Sequence, residues 1–111
     1  MVITRFAPSP SGRLHLGHAY SAAIGHSRAR QSGGEFRLRI EDLDPARSRP
    51  EFVSGIEEDL RWLGLTWGGE PLVQSQRTHE YAAALERLKD RGLVYPCFCT
   101  RADIAASLTA P

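Results

Sequence analysis

Arg5-Phe6-Ala7-Pro8-Ser9-Pro10-Ser11-Gly12-Arg13-Leu14-His15-Leu16-Gly17-His18 joins a short apolar run to a helix-compatible segment through a loop rich in proline, glycine and hydroxyls. Upstream, Val2, Ile3 and Phe6 suit a buried first strand. Downstream, Ala19-Tyr20-Ser21-Ala22-Ala23-Ile24 suits a helix whose small residues allow close packing on a sheet. The loop therefore sits at a strand's carboxyl end. There, unpaired backbone N–H groups and the helix dipole make a positive pole that favours phosphate. Gly17 leaves the backbone open to a nucleotide with no Cβ in the way. His15 and His18 can add N–H donors toward the same phosphates. The alternative reading is that Pro8, Pro10 and Gly12 only shape a turn and the histidines are surface residues. The spacing is not that of a G-x-G-x-x-G or Walker loop, which argues against those nucleotide folds.

Working outward, Gly33-Gly34 breaks the helical pattern. Phe36, Leu38 and Ile40 then alternate with Glu35, Arg37 and Arg39 in the period of a half-buried strand. Strand, helix, strand is the opening of a parallel α/β sheet, in which ligands collect at the carboxyl ends of the strands, so Glu41 is expected beside the phosphate loop. Ser48 is expected to cap a helix running to about Leu63, with Phe52, Ile56, Leu60 and Leu63 as its apolar stripe and Gly64 as its stop. Thr78 is expected to cap another, with Tyr81, Leu85 and Leu88 on a core-facing side and Gly92 as terminator. Leu93-Val94-Tyr95 reads as a returning strand, and Thr100-Arg101-Ala102-Asp103 as a capping box opening a short final helix. Gly68-Gly69-Glu70-Pro71 reads as a turn rather than a linker, so the chain is treated as one unit.

At 111 residues, 41% hydrophobic and 24% charged, the chain has the composition of one modest globular domain. A net charge of +1 advertises no global field for nucleic acid, and RNA contact would need a local patch such as Arg28, Arg30, Arg37 and Arg39. Arginines at a helix end and alternating along a strand are more often a solvated face. No apolar run approaches a membrane span, and the amino terminus lacks the order of a secretory signal, so a cytoplasmic location is expected. Cys97 and Cys99 are too close in sequence to favour a structural disulfide and read as reduced thiols or metal ligands.

Arg5, Ser9 and Glu41 come from two adjacent strand ends and can converge on a small zwitterion. An arginine fork suits a carboxylate, a glutamate suits an ammonium, and a hydroxyl serves either. A phosphate loop beside an amino-acid pocket suggests adenylate formation, in which the substrate carboxylate attacks the α-phosphorus of ATP and the protein supplies alignment and positive potential. Asp42 and Asp44 offer carboxylates for Mg2+, or simply a charged turn before Pro45.

The same words carry a family resemblance. His15-Leu16-Gly17-His18 resembles the HIGH signature of class I aminoacyl-tRNA synthetases. Arg5 to Pro10, Arg39-Ile40-Glu41-Asp42-Leu43-Asp44 and Gln74-Ser75-Gln76-Arg77 resemble landmarks of the glutamyl-tRNA synthetase catalytic domain. The compact stretch from Trp67 to Arg77, and Tyr95-Pro96-Cys97-Phe98-Cys99-Thr100-Arg101, are similar to the glutamyl-Q tRNA(Asp) synthetase subfamily. The resemblance implies an α/β, Rossmann-like parallel sheet with flanking helices. Residues 1–96 would be the amino-terminal half of the catalytic domain, and residues 97–111 the start of a zinc-binding insertion. It implies ATP contacts from Pro8, Ser9, Gly12, His15, Gly17 and His18, with His15 and His18 catalytic. Glutamate contacts would come from Arg5, Ala7, Ser9 and Glu41, and two Zn2+ ligands from Cys97 and Cys99. ATP with Mg2+, L-glutamate and queuosine-bearing tRNA(Asp) are the expected partners of a monomer. A second, lysine-containing signature resembling KMSKS is absent from these residues, so the chain alone is expected to hold about half an active site. The competing readings are a glutamyl-tRNA synthetase that charges tRNA(Glu) and a noncatalytic ATP- or glutamate-binding or interaction module.

Overall fold

Two segments of alternating sequence come together as parallel neighbours, β1 (Ile3–Phe6) and β2 (Glu35–Ile40), with Arg5 in register with Arg37 and Phe6 with Leu38. This is a computed structural model, and it describes residues 1–108. The crossover is α1 (Leu16–Gln31), whose buried residues Ala22, His26 and Ala29 recur at helical spacing. Its small side chains do what the sequence suggests. A Cβ on Gly25 would already stand 3.3 Å from the Phe36 ring, and Thr4 Oγ1 reaches the Gly25 carbonyl at 2.7 Å.

A third strand, β3 (Leu72–Val73), pairs parallel with β2 through Arg39–Leu72 and Ile40–Val73, giving the order β1-β2-β3. Before it runs α2 (Pro50–Trp62). Phe6, Phe36, Leu38 and Ile40 share one buried cluster with Ala22 and Ala29 of α1 and Ile56 and Leu60 of α2. Both helices therefore cover the same face of the sheet. Ile40, Ile56 and Leu60 are almost wholly buried, each contributing about 1.5–3 kcal/mol of apolar transfer. The opposite face carries Arg5, Glu35, Arg37 and Arg39, the alternate positions of the same strands.

Several local expectations give way. Arg49, not Ser48, occupies the N-cap of α2 and makes no side-chain cap bond, because Pro50 at the first turn lacks an N–H and presets the helical φ. Leu63 stays 38% exposed because it is already the C-cap, so the buried stripe ends at Leu60. A 3₁₀ turn, Gln74–Arg77, runs directly into α3 (Thr78–Asp90), and Thr78 has helical angles rather than those of a cap. Leu93-Val94-Tyr95 forms no strand. The Leu93 N–H is already bonded to the Leu88 carbonyl at 3.0 Å, completing with Gly92 the helix terminus, and Pro96 follows. The Thr100–Asp103 capping box is formed, with Asp103 N–H on Thr100 Oγ1 and Thr100 N–H on Asp103 Oδ2, and it opens α4 (Arg101–Leu108).

Packing divides the chain into two compact units, Met1–Thr78 and a second beginning at His79, at a point where the sequence has no linker. The buried apolar cluster lies wholly in the first unit. Tyr81, Leu85 and Leu88 were expected in a core but stay 39%, 44% and 40% exposed, and no residue of α3 is buried. The end of the expected zinc-binding segment, residues 109–111, lies outside the described residues.

Candidate functional site

The loop between β1 and α1 is fastened at both prolines. Glu41 donates its N–H to the Pro8 carbonyl at 3.0 Å, and Arg49 donates to the Pro10 carbonyl at 3.1 Å. Both prolines are buried. Proline has no N–H to satisfy, so a buried Pro-x-Pro can offer carbonyls to neighbouring elements without leaving a donor unpaired. The loop is thereby tied to the carboxyl end of β2 and the start of α2, and it walls a cleft of about 310 Å³.

Ala7, Pro8, Ser9, Gly12 and His18 line that cleft, which brings together five of the residues singled out from sequence. Arg13 lines it as well and was missed. Its guanidinium lies so close over α2 that a Cβ on Gly55 would stand 2.8 Å from Nη1, and it approaches Asp59 at 3.9 Å. The readable signal was Gly55 itself, since a glycine inside a helical stripe marks a close approach.

His15 and His18 form a reciprocal cap. Gly17 donates its N–H to His15 Nδ1 at 3.1 Å, His15 donates its N–H to His18 Nδ1 at 3.2 Å, and the rings stack with centroids 3.8 Å apart. With each Nδ1 accepting from the backbone, the neutral ring carries its proton on Nε2. Two neighbouring Nε2–H donors thus stand at the first turn of a long helix, where the dipole already favours an anion. Gly17 serves this cap directly, because a Cβ there would lie 3.1 Å from His15 Cε1.

Arg5 and Glu41 do not line the cleft. Arg5 is on the open sheet face, in register with Arg37. On that face Arg37 pairs with Glu35 at 2.7 Å, and Arg39 sends Nε and Nη2 to Glu41 Oε1. Arg5 is the one guanidinium of the strands with no carboxylate partner among the described residues. Of the four arginines considered as a local patch, Arg37 and Arg39 are ion-paired with Glu35 and Glu41. The sequence reading placed Arg39 on the polar side of β2, in the arginine patch and in the Arg39–Asp44 landmark, but did not anticipate its pairing with Glu41.

Asp42 is held by Ser75, whose N–H and Oγ reach it at 2.9 and 2.5 Å. Burial pushes this carboxyl up, but the bonds from the Ser75 hydroxyl, the Ser75 N–H and its own backbone together outweigh burial and hold it below the ordinary aspartate value. Asp44 is bonded to Arg47 and to the Ala46 N–H, with the Arg47 bond leading a downward shift. Both acids are thus occupied in fastening loops. Among the described residues no group of three or more metal-ligating side chains is assembled.

The family described as "tRNA synthetases class I (E and Q), catalytic domain" matches residues 1–108. The chain belongs to this family. A glutamyl-Q tRNA(Asp) synthetase of Rhodobacter capsulatus is 56% identical over 110 residues, 99% of this chain and 40% of that protein. A glutamate–tRNA ligase 2 of Acidiphilium cryptum is 54% identical over 106 residues, 96% of this chain and 24% of that protein. A crystal structure of a glutamate tRNA ligase from Elizabethkingia meningosepticum in complex with its amino acid superposes with a TM-score of 0.83 at 34% identity. It covers 96% of this chain and 23% of that one. This synthetase chain thus spans well under half the length of the relatives it matches.

In this synthetase chain Cys97 and Cys99 are exposed free thiols. Two thiolates are half of the tetrahedral set that a structural zinc requires, and no further donors join them among the described residues. By themselves these residues do not make a zinc site. No described helix is long and apolar enough to cross a membrane.

Proposed function

We propose that the protein carrying this chain activates L-glutamate with ATP in the cytoplasm and transfers the glutamyl group to the queuosine base of tRNA(Asp). The observation that carries the activation step is the Arg5 guanidinium, without a carboxylate partner among the described residues, on the sheet face of the oriented Glu41 carboxylate, with Glu41 fastened to the loop that presents His18. Arg5 would take a substrate carboxylate as a fork, Glu41 the α-ammonium, and Ser9 either group. The reacting carboxylate of glutamate attacks the α-phosphorus of ATP and pyrophosphate leaves. The His15 and His18 Nε2–H groups and the start of α1 would neutralise the phosphate charge. Mg2+ enters this reading only as the counter-ion of ATP, and zinc only if two further donors accompany Cys97 and Cys99.

For the acceptor, support comes from a relative named glutamyl-Q tRNA(Asp) synthetase at 56% identity, and from the compact passage out of α2 into β3 without a long insert. The relative named glutamate–tRNA ligase at 54% identity favours a second reading, charging of tRNA(Glu). Glutamate-dependent exchange of ATP and pyrophosphate by the intact protein tests activation. Periodate-sensitive attachment of labelled glutamate to queuosine-containing tRNA(Asp) tests transfer, and labelling of the tRNA(Glu) acceptor end instead would sink the queuosine reading. The isolated 111 residues are expected to bind a glutamyl-adenylate analogue weakly and to catalyse no exchange.

A further inference from the structure

The open face of the sheet carries two ion pairs built alike. Glu35 and Arg37 are two residues apart, as are Arg39 and Glu41, and residues so spaced along extended chain share a face. The pairs differ in geometry and place. Arg37 brings Nη2 to 2.7 Å from Glu35 Oε2, whereas Arg39 places Nε at 3.1 Å and Nη2 at 2.5 Å on the single oxygen Glu41 Oε1. Glu41 also stands just past the carboxyl end of β2, where its N–H is bonded to Pro8 at 3.0 Å.

A carboxylate's terminal torsion is broad, so a backbone anchor alone does not decide which way its oxygens face. A planar guanidinium with two donors on one oxygen does decide it, and Oε2 takes no bond from any described residue. Ion pairs as exposed as this one, with side chains 31% and 33% accessible, contribute little to stability, so the chief consequence of the pair is orientation. We infer that Arg39 is a positioning residue that holds Glu41 with Oε2 free for the α-ammonium of the amino-acid substrate. It acts through Glu41 and does not itself touch the substrate. The inference deepens the proposed function and takes from it that the substrate is glutamate.

The test compares L-glutamate with glutarate, which keeps both carboxylates and lacks the ammonium, in calorimetric titrations of the intact protein. Arg39→Gln is expected to raise the glutamate dissociation constant about tenfold and to leave glutarate within about twofold. Arg39→Lys keeps a charge but not the fork, and should fall between wild type and Arg39→Gln. Arg37→Gln removes the sister pair and should change neither ligand. Parallel weakening of glutamate and glutarate by Arg39→Gln, or equal effects of Arg37→Gln and Arg39→Gln, would overturn the positioning role. Should Arg39→Gln lose its thermal unfolding transition, Arg39→Lys decides, and an unchanged preference for glutamate over glutarate in that variant counts against the role. If the unsubstituted protein binds no glutamate, the proposed function falls and takes this inference with it. If it binds glutamate while the variants lose no preference, only the inference falls.

Discussion

A Cβ placed on Gly34 would stand 1.8 Å from the Val2 carbonyl oxygen, the acceptor for the first β1–β2 hydrogen bond from Glu35 at 3.0 Å. Backbone cannot swing aside as a flexible side chain can, so Gly34→Ala should cost about 1–3 kcal/mol, measured as a shift in the urea midpoint. Gly12 meets nothing within 4 Å, and Gly12→Ala should leave that midpoint unchanged. His15→Ala removes the acceptor for the Gly17 N–H and is expected to lower stability by roughly 1 kcal/mol. An unchanged midpoint in His15→Ala would show that the cap contributes nothing. Gly33-Gly34 was legible as a break, but the division of labour was not. Gly33 takes φ +61 to end the helix while Gly34 makes room for a residue far along the chain.

Among the elements, α2 joins the core through Ile56 and Leu60, and Leu60 is fully buried. Leu60→Ala should therefore lose about 2–5 kcal/mol by denaturant titration, the range spanning how far the core collapses into the vacancy. The clasp of Asp42 on Ser75 gives the chain a pH signature. Its folded-state value lies below the ordinary 3.8, so its stabilisation is complete above 3.8 and is lost as pH falls through the folded value. Ser75→Ala removes the hydroxyl bond while burial still pushes upward, so the Asp42 carboxyl should titrate at higher pH, read by carbon-detected NMR. No upward movement would mean the hydroxyl bond carries no weight. Strand and helix periods in β2 and α2 were legible because they repeat within the element. β3 was not, because Leu72–Val73 is too short to show a period and becomes a strand only by pairing with β2.

For the whole molecule, every residue of the buried apolar cluster lies between Phe6 and Leu65, and α3 and α4 bury none of theirs among the described residues. Amide hydrogens of α3 and α4 should accordingly exchange by local opening, well before those of β2 and α1, in mass-spectrometric hydrogen exchange. Equal protection of α3 and β2 would contradict this division. The expectation of a core stripe at Tyr81, Leu85 and Leu88 failed because a period reports that a helix has an apolar side, not that anything covers it. By itself the sequence determined the order strand, loop, helix, strand and the glycine ends of three helices, whereas the reciprocal histidine cap of α1 emerged only in the structure. Those signals are local, set by side-chain period and by what proline and glycine permit. Only the tertiary structure decided that Arg13 enters the cleft, that Ser75 clasps Asp42, that Leu72–Val73 is a strand, and that Arg5 alone among the strand arginines has no carboxylate partner among the described residues. Each depends on which groups the packed sheet sets face to face, and a pairing energy exists only once both partners have been brought within reach.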